Sequence, residues 1–433
     1  MNPAYQVEYE RLMQSGLYGK LAADGSLVAH SEGSPTLAAT AEAYKVLCPE
    51  ELPFISYPYE WCFSQLKDAA LLTLRIQAAA LAHGMSLKDA SAFNVQFRNG
   101  RPVFIDTLSF ESYREGRPWI AYRQFCEQFL APLALMSRVD VRLGRFSRSY
   151  IEGIPLDLAS AMLPIRTRFN LSLGLHVHAH SRSYRRAARQ GQPPVARFSR
   201  HAFDSLLASL EATVSDLQPR RVDTEWARYY DSMHAYGDDG LADKGCQLRR
   251  MLESIRPGTV WDLGANTGIF SRIATECGAF TVAFDDDPGA VELAYRRVVE
   301  DSQPNLLPLW LDILNPSPGL GWAHLERSSL ADRGPVDLVM ALGLIHHLAI
   351  GGTVPFERIA TFLARLGEQL IIEFVPKSDP QVGRMLSTRE DVFDGYDRHV
   401  FEQAFAARYT IEQVVPLQGT ERSLYSMRRR ASS

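Results

Sequence analysis

"VWDLGANTGIF", residues 260 to 270, is an apolar run that enters a glycine turn and continues as a helical pattern. A strand, a glycine turn and a helix in this order bring backbone N–H groups and a helix N-terminus close to a ligand. The glycines follow a GxxxG spacing after Asp262, whereas the dinucleotide-binding fingerprint has a GxGxxG spacing. The stretch therefore predicts the first strand and helix of a site for a nucleotide-type cofactor.

The next predicted strand supports this interpretation. It runs from Phe280 to Phe284 and ends at Asp285, twenty-three residues after Asp262. A carboxylate at this place can accept hydrogen bonds from both hydroxyls of a ribose. The sequence therefore predicts that a cofactor with a bare ribose lies against Asp285.

Strands and helices continue to alternate along the rest of the chain. Apolar runs predict strands at LLPLWLDI, VDLVMALGLIHHL and EQLIIEFVP and a closing hairpin from YTIEQVVPL and SLYSMRRR, with helices at 288–300 and 355–366. Such alternation builds a parallel sheet covered by helices on both faces. Right-handed crossovers would place the ends of the first four strands along one crevice.

Four motifs in this order resemble those of class I S-adenosylmethionine (SAM)-dependent methyltransferases. They are VWDLGANTGIF, VAFDDDP, the pair Leu311-Asp312 and DLVMALGLIHHL, and the resemblance covers about residues 225 to 428. Four ordered motifs are far more specific than a single glycine turn. The resemblance implies an α/β fold with a Rossmann-like, seven-stranded class I methyltransferase sheet, and S-adenosylmethionine as the cofactor.

The resemblance also implies a role for each motif position. Asp262 and Gly264 would approach the methionine part of SAM, Asn266 and Gly268 would complete the turn, Asp285 would hold the ribose hydroxyls, Asp286 would lie beside the adenine, and Asp312 would receive the adenine amino group. Taken singly, each glycine could serve a tight turn and each Asp a helix N-cap or a solvated loop. Their joint occurrence favours the cofactor roles.

Methyl transfer is a direct displacement, so the enzyme mainly aligns its two substrates and provides a base for the acceptor. His346 and His347, at the mouth of the fourth strand, are the candidate bases, and Glu373 in the fifth strand region is the second choice. In the family that the chain resembles, two histidines at this place are common and often have a structural role. Glu373 could equally be a strand-end carboxylate with a local partner.

Loops beyond the strand ends supply candidate substrate contacts. The long Pro- and Gly-rich connection from Asp312 to Asp337 predicts a functional lid. The candidates are Trp322, Glu326 and Arg327 in this connection, Lys377 after the fifth strand, and Tyr229, Tyr230 and Tyr236 as a cover over the cofactor. Ordinary surface or packing roles are the alternative for each of them.

The first half of the chain carries a second pattern, LKDASAFNVQFRNGRPVFID at residues 87–106. It contains Asp89, Asn94 and Asp106, with a hairpin signal at Asn99-Gly100. An Asp, an Asn five residues on and an Asp beyond a hairpin resemble the catalytic segment of aminoglycoside phosphotransferases and protein kinases. Turn-forming residues, a kinase-derived remnant that binds a ligand, and an active phosphotransferase stay open as interpretations. No convincing glycine-rich loop precedes the pattern, so active phosphotransfer is not expected.

Size and composition predict two globular domains. The chain has 433 residues, of which 46% are hydrophobic and 22% charged, and we place an accessory domain at 1–220 and the methyltransferase domain at 221–433. Five scattered cysteines without a CxxC pair predict neither disulfides nor a metal site. The lack of a leader and of a run of about eighteen apolar residues predicts a cytoplasmic protein with no membrane partner.

Charge is unevenly distributed along the chain. Residues 158–203 contain eight arginines and four histidines but no Asp or Glu. Such a segment could contact an anionic partner, nucleic acid included, or form a solvated basic face. Its HVHAH stretch lacks Cys or carboxylate companions and does not predict a metal site.

These patterns predict transfer of a methyl group from SAM to an oxygen or nitrogen of a small metabolite, glycan or specialised product. An RNA methyltransferase, which the basic segment would favour, is one alternative. A SAM-binding or kinase-like interaction module without catalysis is another. The whole chain is also similar to bacterial proteins that include a rhizobial nodulation protein.

Overall fold

The computed structural model describes residues 1–179, 198–220, 223–224, 226, 238–387 and 390–431, with the backbone alone at 238 and 239. The chain forms two compact units, Met1–Arg221 and Val222–Ser433. Tyr229, Tyr230 and Tyr236 lie outside the described residues, as do five of the arginines of the basic segment. Among the helices of the described part, none is long and apolar enough to cross a membrane.

The N-terminal unit combines helices with short strands and is α+β. Its helices are α1 (Gln6–Gln14), α2 (Leu17–Ala23), α3 (Phe63–Ala82), α4 (Tyr122–Phe125), α5 (Ala131–Arg138), α6 (Phe146–Ser149), α7 (Leu156–Met162), α8 (Leu171–Leu173) and α9 (Arg200–Asp216). Its strands are β1 (His30–Gly33), β2 (Val46–Pro49), β3 (Met85–Leu87), β4 (Val95–Arg98), β5 (Arg101–Phe104) and β6 (Phe110–Ser112). They pair antiparallel, β1 with β2, β3 with β6 and β4 with β5.

The hairpin predicted at Asn99-Gly100 joins β4 to β5. Both turn residues have positive φ, 53° at Asn99 and 70° at Gly100. A two-residue turn of this kind matches the twist of the strands it connects, and Asn followed by Gly adopts it most readily. The structure confirms this prediction.

Asp89, Asn94 and Asp106 form local turns in the N-terminal unit. Asp89 accepts hydrogen bonds from the Ser91 N–H at 2.9 Å and from the Gln124 amide at 2.8 Å. Asp106 accepts from the Leu108 N–H at 2.8 Å, and Ser109 bonds to both Asp106 and Asn94. No His, Cys, Asp and Glu cluster among the described residues could hold a metal ion. This geometry is that of turn-forming residues.

The C-terminal unit alternates helices and strands. Its elements are α10 (Asp238–Ile255), β7 (Thr259–Leu263), α11 (Ile269–Glu276), β8 (Phe280–Asp285), α12 (Pro288–Glu300), β9 (Leu306–Trp310), β10 (Val336–Ala341), α13 (Phe356–Leu366), β11 (Gly367–Phe374), α14 (Pro380–Leu386), α15 (Arg398–Ala406), β12 (Tyr409–Pro416) and β13 (Ser423–Arg429). The strands and helices predicted from the apolar runs match these bounds closely.

The seven strands form one mixed sheet with the order β12-β13-β11-β10-β7-β8-β9. Strands β7 to β11 run parallel, while β13 lies antiparallel to β11 and to β12. This is the predicted class I methyltransferase sheet, and the fold prediction is confirmed. The strand order reverses at β7, whose neighbours are β8 and β10, and open α/β sheets bind ligands at such a reversal.

The core lies between the sheet and its helices. On one face, Leu248, Leu252 and Phe270 from α10 and α11 pack with Val260 and Met340 from the central strands. The parallel strands are apolar along nearly their whole length because helices bury them on both sides. Polar residues are therefore confined to the strand ends, where the candidate site lies.

Candidate functional site

A cavity of about 410 Å³ lies at the carboxyl ends of β7, β8, β9 and β10. Small-molecule sites typically have volumes of roughly 300 to 1,000 Å³. The residues that line it include Gly264 and Asn266 after β7, Asp285, Asp286 and Asp287 after β8, Asp312 and Leu314 after β9, and Leu344, His346 and His347 after β10. The structure thus brings seven of the predicted site residues together at the strand-order reversal: Gly264, Asn266, Asp285, Asp286, Asp312, His346 and His347.

The glycine turn after β7 forms one wall of the cavity. Gly264, Asn266 and Gly268 all have positive φ, 75°, 52° and 78°. A Cβ atom on Gly264 would lie 3.2 Å from the Leu344 side chain, so a larger residue would be both strained and crowded. Asn is among the few other residues that adopt this backbone conformation readily. The turn therefore needs the residue types that stand in the motif.

Asp285 is held in place by backbone donors. One of its carboxylate oxygens accepts from the Asn266 N–H at 2.7 Å, and the other accepts from the Asp287 N–H at 2.8 Å. Burial raises the pKa of Asp285 from 3.8 to about 7, against these hydrogen bonds, and the charges of Asp287 and Asp286 raise it further. The carboxylate lines the cavity with fixed orientation.

We expect SAM affinity to depend on pH through Asp285, because its protonated form loses the capacity to accept from two hydroxyls. Affinity should fall as the pH is lowered through about 7, approaching roughly tenfold per pH unit below that point. The free energy of unfolding of the ligand-free protein should change in the opposite direction and fall as the pH rises. The pKa of Asp285 in the folded protein lies above its ordinary value of 3.8, so its contribution to stability is fully present at low pH and is lost as the pH rises through about 7. Calorimetric titrations and denaturant unfolding across this range measure both trends.

Two further contacts attach a preceding segment to the rim of the cavity. The Asn266 amide donates to the Trp226 carbonyl oxygen at 2.8 Å, and the Thr224 hydroxyl donates to Asp287 at 2.7 Å. Asp287 also caps α12 by accepting from the Ala290 N–H. The Trp226 ring lines the cavity and meets the His347 ring edge to face at 5.4 Å between centroids. Trp226 therefore belongs to the site.

The other end of the cavity carries the histidine pair. The rings of His346 and His347 lie 4.3 Å apart between centroids. His346 is buried, and its Nδ1 atom has no hydrogen-bond partner within the part of the chain that the structure describes. Burial, with the neighbouring charges of His347, Arg422 and Lys244, holds the pKa of His346 well below its usual value. His346 is therefore neutral at physiological pH.

A buried charge network adjoins the histidines. Lys244 Nζ lies 2.7 Å from Glu373, and Arg422 lies 3.5 Å from the same carboxylate. Arg422 also makes a two-point ion pair with Asp379 at 2.7 and 2.9 Å. Two cations and two carboxylates thus balance one another, and burial lowers the pKa of Lys244 against the opposing effect of Glu373. Lys244 and Arg422 reach the cavity wall.

Several predicted site residues do not line the cavity. Asp262 is buried beneath it, where it accepts from the Ser271 hydroxyl at 2.6 Å and where burial raises its pKa to about 6. Gly268 begins α11. Glu373 is fully buried and contacts the cavity-lining Lys244 and Arg422. The predicted base role of Glu373 therefore has no direct access to this cavity.

The predicted substrate residues also lie away from the cavity. Trp322 is 84% exposed, and neither Glu326 nor Arg327 is among the lining residues. Lys377 pairs with Asp391 at 2.9 Å near the surface. In the long connection, Ile313 and Leu314 line the cavity, although neither was predicted, while the predicted Trp322 is exposed. The reason is that the connection folds on itself, with the Leu320 N–H donating to the Arg327 carbonyl.

The cavity residues that sequence reasoning missed include Trp226, Lys244, Gln381 and Arg422. A signal for Lys244 was present, because it falls on the apolar face of α10 with Leu241, Leu248 and Leu252. A lysine on such a face requires a buried partner. Trp226, Gln381 and Arg422 stand in segments without a local pattern.

Comparison with known proteins gives one full-length relative. The chain is 37% identical over 442 residues to the nodulation protein NoeA of Rhizobium meliloti (strain 1021), and the alignment covers 99% of this chain and 91% of the relative. The similarity therefore includes both units. No protein-family model matches the chain.

Solved structures give likenesses to about half of the chain. They include the bifunctional kinase-methyltransferase WbdD (TM-score 0.33, 20% identity, 46% of this chain and 42% of that one), magnesium protoporphyrin IX methyltransferase ChlM from Synechocystis PCC 6803 with bound SAH (0.34, 18%, 47% and 98%), and N-methyltransferase NodS from Bradyrhizobium japonicum WM9 (0.34, 13%, 45% and 98%). The chain thus spans less than half the length of WbdD. Likenesses at TM-scores this low carry no functional information.

Proposed function

The chain belongs to the family of the nodulation protein NoeA, and we propose that its C-terminal unit is a SAM-dependent methyltransferase that acts on an oxygen or nitrogen of a small molecule. The observation that supports this most is Asp285, a carboxylate fixed by two backbone N–H groups beside the glycine turn at the strand-order reversal. The relative's name indicates a process and no reaction. The acceptor class must therefore come from the site.

The cavity residues fit SAM by their chemistry. Asp285 would accept from the ribose hydroxyls, Asp286 and Asp312 would lie toward the adenine, and the turn at Gly264 would leave room for the methionine part. When bound, SAM would supply a methyl carbon that an acceptor lone pair attacks in one step, while the bond to the positively charged sulfur breaks and S-adenosylhomocysteine leaves as a neutral thioether. The chain's own contribution is to align the acceptor and to exclude water, and alignment accounts for most of such catalysis.

His346 is the residue placed to assist the acceptor. His346 lines the cavity, and its neutral ring keeps one nitrogen with a lone pair that can accept a proton. An acceptor hydroxyl or amine would donate to that nitrogen, and its proton would pass to the ring as the bond to the methyl carbon forms and the carbon–sulfur bond breaks. Trp226, Leu344 and Leu348 form the apolar lining on this side. A small, uncharged acceptor group matches this surface better than an ionised one.

The function is tested by incubating the protein and methyl-deuterated SAM with extracts of cells that lack the gene. Mass spectrometry should find the label in the small-molecule fraction. Label only in RNA would support the RNA methyltransferase instead. Absence of label in every fraction, despite SAM binding, would contradict a methyltransferase and favour an interaction module.

We expect His346→Ala to lower kcat about a hundredfold while leaving SAM affinity within about twofold. The physical reason is that the variant removes the imidazole acceptor but not the carboxylates or the glycine turn. His347→Ala is the matched control, because it alters the neighbouring ring that contacts Trp226 and should affect kcat less. Once an acceptor is known, equal kcat for His346→Ala and the wild type would refute the base role.

A further inference from the structure

The N-terminal unit displays an unusual group of apolar side chains. They lie in residues 165–175, the apolar loop, where Ile165 is 70% exposed, Phe169 87%, Leu171 89% and Leu175 54%. Single exposed apolar residues are normal in proteins. Several large ones on one short segment mark a contact surface.

The apolar loop contains the short helix α8 (Leu171–Leu173) and is compact. A Cβ atom on Gly174 would lie 3.1 Å from the Arg168 carbonyl oxygen, so the backbone on either side of this helix is in close contact. The inward-facing side chains are fixed as well. Thr167 lies 2.9 Å from Nε2 of His178, whose Nδ1 atom lies 2.7 Å from the Ser160 hydroxyl. The outward apolar side chains therefore belong to an anchored loop.

The charged residues within this segment of the sequence are all basic. Arg166 and Arg168 alternate with the apolar residues of the loop and are exposed. The surrounding sequence, residues 158–203, has eight arginines and no Asp or Glu. A partner for this surface must be apolar and anionic. Phe169 is the one aromatic ring among the four exposed apolar side chains, while Ile165, Leu171 and Leu175 offer no stacking face to nucleic-acid bases, so RNA matches the surface less well than lipid does.

We propose that the apolar loop docks the N-terminal unit on the surface of an anionic lipid bilayer. Phe169 and Leu171 would enter the boundary between headgroups and acyl chains, and Arg166 and Arg168 would contact lipid phosphates. Arginine suits this position because its stem packs on apolar surface while its charge stays in the headgroup layer. A surface contact requires no spanning helix. The proposal therefore replaces the expectation of no membrane partner, which was based on the lack of a spanning segment.

The test is co-sedimentation of the full-length protein with lipid vesicles. One set contains phosphatidylcholine alone and the other about one third phosphatidylglycerol. We expect binding to the anionic vesicles only, weakened by added salt. Phe169→Ser combined with Leu171→Ser should lower the affinity at least about tenfold. Leu37→Ser is the matched control, since Leu37 is 67% exposed elsewhere in the unit, and it should bind like the wild type.

Two results would overturn the proposal. One is a wild-type protein that stays in the supernatant with anionic vesicles at low salt. The other is equal vesicle binding by the double variant and by Leu37→Ser. If the wild-type protein also gains mass in solution with rising concentration and the double variant does not, the surface is a contact between copies of this chain. Equal melting temperatures of the variants ensure that lost binding is not lost folding.

Discussion

Asp285→Ala is expected to weaken SAM binding about a hundredfold to a thousandfold in a calorimetric titration. The variant removes an acceptor for two ribose hydroxyls, and hydrogen bonds to a charged group each contribute about 1.5 to 3 kcal/mol. The loss is large because the carboxylate needs no reorganisation on binding, being already held by the N–H groups of Asn266 and Asp287. Its two partners would also lose their acceptor, which makes the turn less well defined.

Asp286→Ala is the matched control for this experiment. Asp286 follows directly in sequence and lines the same cavity, but it is exposed. We expect its replacement to change SAM affinity by no more than about threefold, as exposed charges contribute little. Unchanged affinity for Asp285→Ala, with an intact unfolding transition, would contradict the assignment of the ribose to this carboxylate.

Glu373→Ala is expected to lower the free energy of unfolding by about 3 to 5 kcal/mol. Lys244 and Arg422 are both buried against Glu373, and removing one partner of a buried ion pair leaves charge poorly compensated. Glu373→Gln keeps the shape and should recover part of the loss. Chemical denaturation followed by circular dichroism measures the difference.

Lys377→Ala provides the comparison, because its pair with Asp391 is partly exposed and solvent weakens it. We expect it to hardly change the unfolding midpoint. The opposite result would be a Glu373→Ala variant that is as stable as Lys377→Ala but has lost methyl transfer. In that case Glu373 acts in the reaction, as the predicted base role requires. A large loss of stability in Glu373→Ala alone identifies it as a residue that positions the cavity wall.

The positions of the cofactor motifs were easier to predict from the sequence than the residues that contact the substrate. Asp285 is the last residue of β8 and Asp312 lies two residues beyond β9, and a strand end is visible in the sequence as the point where an apolar run stops. Trp322 and Arg327 stand in a long connection whose path depends on contacts across the fold. The sequence predicted a lid there, and the structure shows a connection that turns back at Leu320 and Arg327 and leaves Trp322 exposed.

The sequence by itself determined the features of this protein that depend on residues close together in the chain. The period of the apolar residues, the glycines and Asn266 at positive φ, and the carboxylates at the ends of β8 and just beyond β9 are properties of neighbouring residues. They were sufficient for the seven-stranded sheet, for the place of its crevice and for the Asn99-Gly100 hairpin. The right-handed crossover rule then left few topologies to choose from.

Only the tertiary structure decided which distant residues meet. Lys244 and Glu373 are 129 positions apart, and their pairing depends on how α10 packs on the face of the sheet that contains β11. The contact of Asn266 with Trp226, the neutral state of His346 and the outward display of Phe169 likewise depend on what the folded chain buries. Burial is a property of the whole fold, because the residues that shield a side chain from solvent are far away from it in the sequence.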